Sequence, residues 1–252
     1  MLKKRIIPVL LLKKGRLVKT LQFGKYRDVG EPVSQAKIYD AQKADELIFL
    51  DIDATSEKRA AAYEVIRNAA NECFMPMTIG GGIGNIETIH RMLEIGADKV
   101  AINAAAAENP LFIREAAAKF GSQCIVVSID VKKNNGIYEV FTHNGKKPTG
   151  KDPVEWAREV ERLGAGEILL TSIDNEGTMK GYDLGLIKSV ADAVGIPVIA
   201  NGGAGNLQDF HDAIMIGKAS AVAAGSLFHF TDQNLIKTRR FLKIHGVDVR
   251  NG

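Results

Sequence analysis

Short, nearly continuous apolar runs alternate along this chain with longer stretches of helical patterning. The runs at 5–11, 46–51, 77–80, 99–103, 123–130, 167–173, 197–201 and 220–224 predict eight strands. They are apolar nearly throughout and do not alternate, so they read as parallel strands covered on both faces. The stretches between them carry helix-start signals: Ser56 before Glu57-Lys58-Arg59, Asn85 before Ile86, Asn109 before Pro110, and Asp152 before Pro153. No break in composition divides the eight strand–helix units, which predicts one domain over residues 1–252.

An internal repeat narrows the fold. The segment from Glu46 to Asp53 aligns with that from Glu167 to Asp174, a spacing of 121 residues (167 − 46). Ile79 to Gly82 aligns with Ala200 to Gly203 at the same spacing, and so does Gly96 with Gly217. One spacing across three separated segments predicts two four-unit halves, 1–120 and 121–245, closing together as a (β/α)8 TIM barrel. An open doubly wound sheet also alternates strands and helices, but gives no reason for a half-and-half repeat.

Composition removes several classes. With 252 residues, 46% of them hydrophobic, the chain can bury a large core. A net charge of +3, well dispersed, is no nucleic-acid footprint, though it suits a phosphorylated small molecule. Cys73 and Cys124 stand alone without clustered histidines, so neither a disulfide framework nor a metal site is expected. No apolar run approaches the roughly 20 residues of a membrane span. The basic start and the apolar run after it are short for a secretory leader and lack its cleavage site. A cytoplasmic enzyme without metal or cofactor is expected.

Chemistry in such a barrel belongs to the C-terminal strand ends and the loops beyond them. Those positions hold Leu11, Asp51 with Asp53, Gly81-Gly82, Asn103, Asp130, Asp174 with Glu176, Gly202-Gly203 and Gly225-Ser226. Thr171 and Gly177 join them as candidate binding residues. Glycines let backbone N–H groups approach an anion, and a helix start beyond them adds a favourable dipole. Gly202-Gly203 with Gly225-Ser226 therefore predicts one phosphate cradle. The repeat places Gly81-Gly82 with Asn103 opposite, suggesting a ligand with a phosphate at each end. Asp130 closes an apolar strand, where a partly desolvated carboxylate suits acid–base work. Asp51 is expected to orient a neighbour and not to titrate. The basic loop 13–30 is expected to fold Lys19 and Phe23 over a bound anion, and the segment 138–142 reads as a hairpin at the mouth.

At the other end, Arg5, Glu46, Lys99 and Glu167 begin strands one, two, four and six. Charges entering an apolar bore must pair with one another. Two of each sign make a self-neutralising ring, which could be a plain plug or a gate.

The chain resembles the cyclase subunit family of imidazole glycerol phosphate synthase, in histidine biosynthesis. The likeness rests on Lys4 to Pro8, Asp45 to Asp51, Thr78 to Ile83, Ala97 to Asn103, Gly164 to Asp174, Gly202 to Gly205 and Phe228 to Phe230. The resemblance implies a class I glutaminase subunit docked on the N-terminal face as a heterodimer, with ammonia travelling through the barrel. It makes Arg5, Glu46, Lys99 and Glu167 the ammonia gate, Lys19 the lid lysine and Asp130 one of two catalytic aspartates. The other aspartate is absent: the family pattern Ile-Pro-Cys-Leu-Asp-Val is here Ile7 to Leu12, with Leu11 at the aspartate position. Glu176, Asn201 and Ala104 also depart from the family's usual aspartate, serine and threonine, and the Gly225-Ser226 loop reads as one residue longer. Three functions are then open. One is a divergent relative delivering ammonia for amidination of N-acetyl sugars in surface polysaccharides. The others are the ordinary cyclase of the histidine pathway and a non-catalytic scaffold activating the glutaminase. The sister isomerase of that pathway shares the half-barrel repeat but needs no four-charge ring.

Overall fold

The computed structural model describes residues 3–57 and 62–250. Twelve strands lie among them: β1 Arg5–Lys13, β2 Arg16–Thr20, β3 Tyr26–Gly30, β4 Leu47–Asp51, β5 Met77–Gly80, β6 Lys99–Ile102, β7 Ile125–Asn134, β8 Ile137–Thr142, β9 Lys147–Pro148, β10 Glu167–Ser172, β11 Val198–Asn201 and β12 Ala221–Ala224. The helices are α1 Pro32–Ala41, α2 Tyr63–Glu72, α3 Ile86–Glu94, α4 Ala104–Glu108, α5 Leu111–Phe120, α6 Pro153–Arg162, α7 Leu184–Ala191, α8 Leu207–Met215, α9 Ser226–Phe230 and α10 Leu235–Ile244. Eight parallel strands run in the order β10-β11-β12-β1-β4-β5-β6-β7, and β7 pairs back onto β10. That last pairing closes the sheet, so the fold is the expected (β/α)8 barrel. No described helix is long and apolar enough to cross a membrane.

Alternate residues of the barrel strands point inward and outward, which divides the apolar side chains into two sets. Ile7, Val9, Leu11, Ile48, Val126, Leu169 and Ile199 pack together inside the bore. Their neighbours Ile6, Leu10, Phe49, Val127 and Ile168 face the helices in the larger outer cluster.

Helix starts follow local chemistry. The Asn85 side chain accepts from Thr88 N, and Asp152 accepts from Val154 N and Glu155 N, as expected of N-caps. Two expected starts differ. Ser56 lies in a turn with its hydroxyl on Asp53 O at 3.0 Å, and α2 begins only at Tyr63. Lys58 and Arg59 lie outside the described residues. Asn109 is committed backwards: its N–H closes α4 on Ala105 O, so Pro110 occupies the cap of α5 without a side-chain bond. A single 3₁₀ turn, Ser122–Cys124, replaces the first residues of the fifth expected barrel strand.

The repeat is visible in element bounds. Asn85 and Asn206 cap α3 and α8 in the same extended conformation, 121 residues apart (206 − 85). Ala97 N bonds Met92 O, whereas Ala219 N bonds Ala213 O, so the spacing passes from 121 (213 − 92) to 122 (219 − 97) within one turn. The extra residue is Lys218, held at a left-handed φ of 60° just after Gly217. The insertion therefore precedes β12, and the loop at Gly225-Ser226 is not itself lengthened relative to its counterpart, since Asn103 and Gly225 cap α4 and α9 equivalently.

Candidate functional site

The chamber at the C-terminal ends of the strands is lined by Leu11, Lys19, Asp51, Gly82, Asn103, Asp130, Thr171, Gly177, Gly202, Gly203, Gly225 and Ser226. All the expected mouth residues meet there except Asp174. Its carboxylate instead accepts from Lys133 N at 2.9 Å, on the far side of the β7–β8 hairpin.

Asp130 sits near the end of the straight part of β7, in register with Thr171 of β10 and Phe141 of β8. The Ser128 hydroxyl donates to one carboxylate oxygen at 3.3 Å and the Asn103 amide to the other at 3.2 Å. Burial pushes its pKa up to about 7, with Ser128 and Thr171 pulling the other way and Glu176 adding to the rise. A carboxyl group poised there can both take and give a proton near neutrality. Asn103 is thus engaged with Asp130 and with Ser128 O.

Leu11 faces Asp130 from the opposite wall, because β1 and β7 are four strands apart in the closed ring of eight. It lies between Val18 and Leu50 in register and is 8% exposed, a member of the inner apolar cluster. That wall has no acid–base group at this position.

The basic loop is itself ordered structure. Leu11 to Lys13 pair antiparallel with β2, which pairs with β3, so a hairpin rises from β1 and folds across the mouth. Its tip is held by Glu176, whose carboxylate accepts from Thr20 Oγ1 at 2.9 Å and Phe23 N at 3.1 Å. Glu176 O also accepts from Gln22 N. Gly177 makes the approach possible: with φ at 72°, a Cβ there would overlap Thr20 O. Its visible role is therefore to admit the hairpin.

The hairpin delivers Lys19 to the cradle. Lys19 is 4% exposed, and its ammonium donates to Val9 O at 2.6 Å and occupies the space a Cβ at Gly225 would need. Burial pulls its pKa down to about 7, opposed by Glu176. Burial and the nearby Lys19 charge hold His229 down at about 3, so that imidazole is neutral. On the other side, Gly81 and Gly82 have φ of 104° and 68°, and Gly82 N donates to Thr55 Oγ1 at 3.2 Å. Asp51 is 3% exposed and accepts from Ala62 N, a positioning contact within its own loop, while Asp53 pairs with Lys13 at 2.6 Å.

At the opposite end the four expected charges form a closed ring. Arg5 meets Glu46 at 2.7 Å and Glu167 at 2.9 Å, and Lys99 meets the same two at 2.9 and 3.0 Å. Arg5 of β1 and Glu46 just before β4 belong to neighbouring strands, but the other three contacts skip at least one strand, so the ring reaches across the bore. Thr78 Oγ1 completes Glu46 at 2.5 Å.

Sequence reasoning missed His143, Asn144 and Lys146, which reach the chamber from the turn between β8 and β9. The Asn144-Gly145 pair was the available signal: His143, Asn144 and Gly145 are consecutive left-handed residues. Among the described residues no cluster of His, Cys, Asp or Glu is arranged to hold a metal ion. Against this geometry stands one comparison with known families: the family model described as "Histidine biosynthesis protein" matches residues 5–234, from the first barrel strand to the start of the last helix.

Proposed function

We propose that this chain, which belongs to the histidine biosynthesis protein family, is a cyclase-type barrel that takes ammonia from a glutaminase subunit at its charged end and presents it to a phosphorylated acceptor at its mouth. The observation carrying this reading is the difference between its ends. Four charges still pair across the N-terminal bore, while the chamber keeps one acid–base carboxylate, Asp130, facing a leucine.

Between the ends lies the apolar column of Ile7, Val9, Val126, Leu169 and Ile199. An uncharged ammonia molecule crosses such a column at far lower cost than ammonium. In the chamber, Asp130 exchanges the proton of the attacking nitrogen, and Lys19 with the start of α9 holds an acceptor phosphate. Leu11 can neither donate nor accept, and loss of one positioned acid–base group typically costs about 10²–10⁴ in rate. A ring closure needing two such groups is therefore poorly served. We read the acceptor as another compound, with amidination of an N-acetyl sugar by a separate amidotransferase as the reaction supplied.

A second reading is favoured by Asp130 itself, whose pKa near 7 and side-chain donors Ser128 and Asn103 suit it to run the ring-closing cyclase reaction alone. An assay with free ammonium and the bisphosphate ribosyl-aminoimidazole substrate separates the two. Little turnover by the wild type, with a gain in Leu11→Asp, is expected. Full wild-type turnover would establish the second reading. Adding this chain to a class I glutaminase subunit without acceptor tests delivery: unchanged glutamine hydrolysis would overturn both ammonia readings, and stimulation without any acceptor turnover would make the chain a scaffold.

A further inference from the structure

We infer that Asn201 is a positioning residue for Asp130, acting through the hydroxyl of Thr171. Three adjacent strands put these groups in one row: Thr171 of β10 is in register with Asp130 of β7 on one side and Asn201 of β11 on the other. The Asn201 amide donates to Thr171 Oγ1 at 3.0 Å, and Thr171 is 2% exposed. A hydroxyl carries one hydrogen and two lone pairs. With the amide filling a lone pair, the single hydrogen is free to turn toward Asp130, the in-register neighbour whose ionised form Thr171 favours. Accepting from the amide also polarises the hydroxyl and strengthens what it gives.

Two other side chains donate to Asp130, Ser128 at 3.3 Å and Asn103 at 3.2 Å. Charged groups face the same chamber from several elements. Glu176, after β10, opposes ionisation of Asp130, and Lys19 comes from the hairpin. Asp51 and Asp53 with its partner Lys13 stand on the far side, and His143 and Lys146 come from the β8–β9 turn. Uncharged substitutions at Asn201 leave this set intact. The row then has a specific effect: it offsets part of the burial cost and keeps the ionised form of Asp130 accessible at neutral pH. Without it a smaller share of Asp130 is ionised at neutral pH, and the group serves less well as a base. The kinetic consequence rests on the proposed role of Asp130, but the positioning does not.

The test is a carbon-13 titration of the Asp130 carboxyl in the full chain, its resonance assigned by its loss in Asp130→Asn. Asn201→Leu is expected to move the midpoint upward by about half a pH unit or more. Thr171→Val should do the same, and the double variant no more than the larger single change, because both cut one row. Asn201→Ala, which removes the amide without adding bulk, provides the same reading if the leucine disturbs folding. A midpoint unmoved by Asn201 substitutions while Thr171→Val raises it would overturn the inference, as would additive shifts. Failure of Asp130 as the proton-transfer group would appear only as unchanged turnover in Asp130→Asn, a separate result.

Discussion

At one end of the barrel four charged side chains, Arg5, Glu46, Lys99 and Glu167, pair with one another, and Thr78 adds a hydrogen bond to Glu46. At the other end Asp130 and Lys19 are held by neutral partners, serine, threonine, asparagine and a main-chain carbonyl. The same burial thus has opposite outcomes. Mutual pairing across the bore offsets desolvation at the charged ring, whereas at the mouth the cost stays on the groups and brings both pKa values to about 7. Burial that Glu176 only partly offsets at Lys19, and that neutral donors only partly offset at Asp130, suits the proposed arrival of a ligand's charge and a moving proton.

The comparison breaks most sharply at Asp130. In a Leu11→Asp background assayed with ammonium and the bisphosphate substrate, adding Asp130→Asn is expected to lower turnover by about 10²–10⁴. Equal turnover would remove the mouth's claim to chemistry. Next in size is Glu46→Leu, which leaves Arg5 and Lys99 sharing one carboxylate in the bore. Denaturant unfolding should show a loss of about 3–5 kcal/mol, and an unchanged midpoint would mean the ring is solvated and not a paired unit. A smaller effect concerns Lys19. Its folded pKa of about 7 lies below that of a free lysine, so the ammonium is lost as pH rises through 7. Sulfate, whose charge does not change in this range, should bind roughly tenfold more weakly at pH 8.5 than at pH 6.5, and calorimetry should find that dependence flattened in Lys19→Met. Last comes the solvent-exposed pair of Arg16 with Asp28 on the hairpin. Arg16→Ala should leave Tm within error, since solvent already screens that pair.

The barrel was legible because its strands are apolar on both faces and one spacing joins the halves. The ring and the glycine turns were legible for the same reason: strand ends can be located once strands are. What stayed hidden depends on contacts with no local signal. Glu176 reaches Thr20 across 156 residues, and neither residue carries a pattern that predicts the other. Symmetry suggested Asn103 as a phosphate ligand and gave no sign that its amide donates to Asp130. The extra residue of the second half relative to the first had no local signal, because apolar alanine-rich β12 tolerates several alignments. Only the hydrogen bonds of the preceding turn identify Lys218.

The covering hairpin has a consequence for how the two halves can exist. Residues 1–120 carry the clasp, and residues 121–245 carry its catch, Glu176, together with the Asp174 carbonyl that receives Gln22. Expressed as separate pieces, neither half would own a closable vessel, and a sealed one would form only on assembly. Linking them in a single polypeptide makes cover and fastening arrive in fixed proportion with every molecule synthesised.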